Sequence, residues 1–117
     1  MTGRRPDEPA AGRTAGSQIV GELVRAVGLT EAVARRTEIV GEEPALPSIF
    51  PVGTAAAGTV GATLAAAAEL WRLRGGPGGP VKVDMRAAAI SFRSERYLRV
   101  DGRAPELWDS LSITEAL

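Results

Sequence analysis

Neither cysteine nor histidine occurs anywhere in the 117 residues. Those two absences together exclude disulfides, thiol nucleophiles, imidazole bases and the common zinc constellations. Net charge is lacking as well: 14 basic residues stand against 14 acidic ones, so no global field steers the chain toward nucleic acid or an anionic membrane. The N-terminus, MTGRRPDEPAAGRTAG, carries charges and prolines but no apolar core of the kind a secretory signal needs. A cytoplasmic location is the simplest expectation.

What is present suits one small domain. Residues 1–15 show no apolar periodicity and hold Pro6, Pro9 and Gly12, so they read as a disordered tail, with residues 16–117 forming a single α/β domain or part of a larger one. From Ser17, a possible N-cap, Ile19, Val20, Leu23, Val24 and Val27 recur at helical spacing until Gly28. Thr30 is placed to cap a second short helix, with Glu31 in its first turn and Arg35 and Arg36 in its last. Ile39 and Val40 suit a brief extended piece. Two short helices around a glycine turn also have a superficial likeness to a helix-turn-helix. However, Val24 stands where that motif favours a small residue, and only Arg35 and Arg36 would face phosphate. Two amphipathic helices packed on a core is the plainer reading.

Pro44, Pro47 and Pro51 keep the next stretch extended. A helix is then predicted from Gly53 or Thr54 to about Arg74, a length of about 30 Å. No charge lies between Glu43 and Glu69, yet the helical part is mostly Ala, Gly and Thr, too weak in transfer energy for a membrane span. Gly58, Gly61, Ala62 and Ala65 line one side, where another backbone packs closely or a flat ligand approaches. The glycine-rich run 75–80 follows a helix and precedes a strand, the reverse of a dinucleotide fingerprint. Val81 to Met85 alternate as a strand, residues 87–92 suit a further helix, and Tyr97 to Val100 a strand before an Asp101-Gly102 turn. Arg86, Arg93, Arg96 and Arg99 with Tyr97 form a local basic cluster suited to phosphate or to a solvated face. Leu107 and Trp108 offer an apolar anchor. Glu69, Glu95, Asp101, Glu106 and Asp109 show no spacing of a paired acid and base.

The run Pro51, Val52, Gly53, Thr54, Ala55, Ala56, Ala57, Gly58, entering an alanine-rich helix and followed by Val83, Asp84, Met85, resembles the catalytic-centre segment of the family III CoA-transferases, the carnitine and formyl-CoA transferase type. The resemblance runs from Pro47 to about Trp108. It implies part of that family's α/β fold: N-terminal helices, a long buried small-residue helix, then strand, helix and strand. It also implies movement of CoA between carboxylic acids, with an acyl-CoA thioester and a carboxylic acid as substrates and no permanently bound cofactor. In the family an aspartate attacks the thioester and becomes an enzyme-bound CoA thioester, and the helix it opens turns its N-terminal amides toward the reacting group.

Thr54 stands at that aspartate's position. A carboxylate is ionised at neutral pH without help, whereas a threonine hydroxyl needs a base, so no catalytic residue is assigned. Asp84 matches the family's strand residue and not its nucleophile. The L-D-L-S/T-R-V-x-A-G-P half near the CoA adenine is absent, and the closing SLSITEAL leaves the pattern, so an N-terminal fragment of a variant subgroup, inactive alone, is expected. Pairing with a second copy or a longer chain follows from the family's dimers. A non-enzymatic interaction subunit and, behind it, a small helix-turn-helix regulator are the other readings.

Overall fold

A computed structural model describes residues 11–104. Its element order is α1 (Ala11–Ala26), α2 (Glu31–Arg35), β1 (Thr37–Val40), α3 (Val52–Leu73), β2 (Val81–Asp84) and α4 (Met85–Ser91), followed by a 3₁₀ turn at Ser94–Arg96. The chain is thus mixed α/β. β1 and β2 are parallel, pairing Thr37 with Val81 and Ile39 with Val83. Parallel neighbours need a long crossover, and α3 with its flanking loops supplies it.

Alternation along the strands sets the two faces of this sheet. Ile39 and Val83 are buried, while Glu38 and its partner Lys82 are exposed on the other side. The core then gathers Val20 and Val24 of α1, Val33 of α2, Ala57 and Ala65 of α3, and Met85, Ala88 and Ala89 of α4. Close approach of α1 to α3 depends on missing side chains. A methyl group at Gly58 would stand 2.6 Å from Ile19, one at Gly61 2.9 Å from Val20, and one at Gly16 2.7 Å from Ile39. The small-residue side of α3 therefore packs against α1 and the sheet, and no ligand reaches it.

Both longer helices end in the same way. The amide of Leu29 donates to Val24 and that of Gly28 to Arg25, and after α3 Gly76 donates to Trp71 and Gly75 to Arg72. Gly28 and Gly75 take the left-handed conformation that this closure requires, at φ +80° and +87°.

Several expectations are corrected. α1 begins at Ala11, so the unordered leader expected over 1–15 is helical from residue 11, and residues 1–10 lie outside the described residues. Ser17 consequently sits inside a helix and caps nothing. Thr30 holds the extended N-cap backbone, but its side chain makes no capping bond. Residues 97–100 form no strand: Val100 makes one antiparallel bridge to Arg103 across the Asp101-Gly102 turn, because no neighbouring strand is there to pair with. Asp84 ends β2 and caps α4, its carboxylate accepting the Ala87 amide at 2.7 Å. Leu107 and Trp108 lie outside the described residues.

Candidate functional site

Thr54 lies in the first turn of α3, at the mouth of the β1-to-α3 loop. Its residue is only 6% exposed, and its hydroxyl is buried without a hydrogen bond. A carboxylate nevertheless stands beside it. Glu43, eleven positions earlier, turns its side chain onto the start of α3: Oε1 accepts the Thr54 amide, and Oε2 accepts the Ala45 amide at 2.9 Å. Room for it comes from two glycines. A methyl group at Gly53 would stand 3.0 Å from Glu43 Oε1, and one at Gly12 would stand 3.0 Å from the Thr54 hydroxyl and 3.3 Å from Glu43 Cγ.

The electrostatics follow from those contacts. Desolvation pushes the Glu43 carboxyl up, but the amides of Ala45, Thr54 and Gly53 and the nearby Thr54 hydroxyl outweigh it, holding the group below its usual range. The positive end of the α3 dipole acts in the same direction. The free amides expected at this helix start are thus met by the chain's own anion. A carboxylate held low is a weak base, so Glu43 is poorly suited to deprotonate Thr54. Sequence reasoning missed Glu43, since a loop rather than a helical repeat brings it to Thr54.

Other candidate residues are dispersed. Arg36, one of two phosphate-facing candidates of the helix-turn-helix reading, instead bonds Glu69 at 2.8 Å, and α2 has only five residues, with Val33 buried. Glu69 also takes Arg72 at 2.7 Å. Hydrogen bonds from Arg72 and then Arg36 hold its pKa down to about 2. Arg86, Arg93, Arg96, Arg99 and Tyr97 are all exposed on or after α4, and Arg99 donates to the carbonyls of Arg96 and Leu98. Among the described residues no Asp/Glu cluster suits a metal ion, and no helix is long and apolar enough to cross a membrane.

An apolar cleft of about 380 Å³ opens beside the first half of α3, lined by Leu46, Val52, Ala55, Ala56, Thr59, Ala89 and Phe92. Its walls offer no carboxylate, amine or guanidinium, so it suits apolar side chains. No protein-family model, curated protein or solved structure matches this chain.

Proposed function

We propose that this chain is a catalytically silent piece of a CoA-transferase-type assembly, related in kind to proteins that move CoA between carboxylic acids. In this reading it works with a further chain, a second copy or a longer one, that brings the carboxylate nucleophile and the CoA site. The observation that carries the silence is the start of α3. The resembling segment opens a helix there, as the family's nucleophile helix requires, yet the residue in place is a buried threonine whose neighbouring carboxylate is already engaged by two amides.

A non-enzymatic interaction role is the second reading, and exposed large apolar residues support it. Ile49 is 94% exposed, and Phe50, Leu73 and Phe92 are mostly exposed as well. One experiment bears on both. The tagged chain is recovered from its producing cells, and CoA exchange between an acyl-CoA and a carboxylic acid is followed for the chain alone and for any complex. Exchange by the complex and none by the chain alone is expected. Turnover by the chain alone overturns the silence, and a complex without exchange leaves the interaction role as the better reading.

A further inference from the structure

The apolar cleft beside α3 is hollow because small residues line it. Ala55 and Ala56 of α3 and Ala89 of α4 leave about 380 Å³ where longer side chains would otherwise meet, and Phe92 stands beside the opening, 62% exposed. The described core contains no aromatic side chain: Phe50, Trp71, Phe92 and Tyr97 are all exposed. A site for a small ligand needs polar groups that fix its orientation. Here the single hydroxyl in the walls, that of Thr59, donates to the Ala55 and Ala56 carbonyls of its own helix. The cleft is therefore shaped for apolar side chains that a peptide brings with it.

Charge indicates which peptide. It balances over the whole chain but not along it. From Arg86 to Arg103 five arginines stand against two acidic residues, a net charge of +3. Residues 105–117, PELWDSLSITEAL, hold Glu106, Asp109 and Glu115 and no basic residue, a net charge of −3. The basic stretch borders the cleft: Arg86 lies one turn before Ala89 on α4, and Arg93 directly follows Phe92. The acidic segment also carries Leu107, Trp108 and Leu111, at the spacing of one side of a helix. Apolar groups and opposite charge thus occur together in both, and opposite charge orients such an encounter.

The path of the chain supplies the reach. It leaves α4 at Phe92 and reverses at Asp101 and Gly102, which take left-handed φ values of 51° and 78°. Val100 and Arg103 exchange backbone hydrogen bonds of 2.8 and 3.0 Å across that turn, so at Arg103 the chain runs back along the way it came. Phe92 lies eight residues before Val100, and Leu111 lies eight residues after Arg103. That length is enough to return to the cleft, and a short tether holds the segment at an effective concentration in the millimolar range.

We propose that the cleft between α3 and α4 is a docking site for an acidic, tryptophan-bearing peptide, and that residues 105–117 of the same chain fill it, with Leu107 and Trp108 inside. The inference goes beyond the proposed function and uses none of its chemistry. The full-length chain has two tryptophans, so Trp71→Phe leaves Trp108 as the only indole. Its emission in the folded chain should lie well to the blue of its emission in urea. Adding Ala55→Glu, at an exposed helix position in the cleft wall, should reverse most of that shift while circular dichroism shows the helices intact. Because the chain has no cysteine, a pair of cysteines reports the docking directly. Ala55→Cys with Ser110→Cys should close an internal disulfide on oxidation at least tenfold faster than Gln18→Cys with Ser110→Cys, Gln18 being exposed on α1. A Trp108 emission that folding does not shift, a shift indifferent to Ala55→Glu, equal rates for the two cysteine pairs, or a disulfide that links two chains would overturn the docking.

Discussion

The Thr54 hydroxyl lies near the Glu43 carboxylate and favours its ionised form, but it is buried without a partner at hydrogen-bond geometry, so it retains part of the cost of its lost water, about 1–3 kcal/mol for a complete orphan. Valine has nearly the same shape and no hydroxyl. Thr54→Val should therefore raise the free energy of unfolding by about 1 kcal/mol in urea titration. Thr54→Asp should do the reverse, because it adds a second carboxylate beside Glu43 at a site only 6% exposed. Loss of stability in Thr54→Val would show that the hydroxyl has a bonding role in solution. That a helix starts here was legible in the sequence, since Pro51 and the proline-free run after it mark the start. Its surroundings were not, because a side chain eleven residues away in a proline-rich loop shows no periodicity that would aim it at a helix start.

Between elements, the Arg36–Glu69–Arg72 cluster ties the end of α2 to the last turns of α3. Glu69 in the folded chain titrates near 2, below the ordinary 4.5. Its contribution is therefore complete above about pH 4.5 and is lost as the pH falls through the folded value near 2. Glu69→Gln should lower the melting temperature at neutral pH, and the gap from wild type should close as the pH falls toward 2. A constant gap across that range would mean that packing, not charge, links the two elements. The elements were unequally readable from sequence. α3 and β2 stand out because a long proline-free stretch and a strict alternation are local properties. The start of α1 was hidden, since Gly12 and Gly16 look like helix breakers until α3 and Ile39 are seen pressing against them. The segment 97–100 has strand-like side chains, but a strand also needs a neighbour, and that is a property of the whole sheet.

For the molecule as a whole, the question is what covers the outward half of α3. Before Glu69, α3 carries no charge and is apolar or small all round, as suits an interior helix, yet only one side of it is inside. If a second copy covers the other side, folding and association are one equilibrium, and the unfolding midpoint must rise with protein concentration. For a domain of this size, a tenfold increase should raise it by about 3–5 °C. Thr63→Arg, which puts a charge on that exposed side, should weaken that dependence and lower the midpoint where the pair would form. This measurement separates two ways of keeping such a helix in water. A concentration-independent midpoint would mean that the threonine methyls and small alanines are tolerated in solvent. A rising one would mean that a second copy is part of what keeps the chain folded.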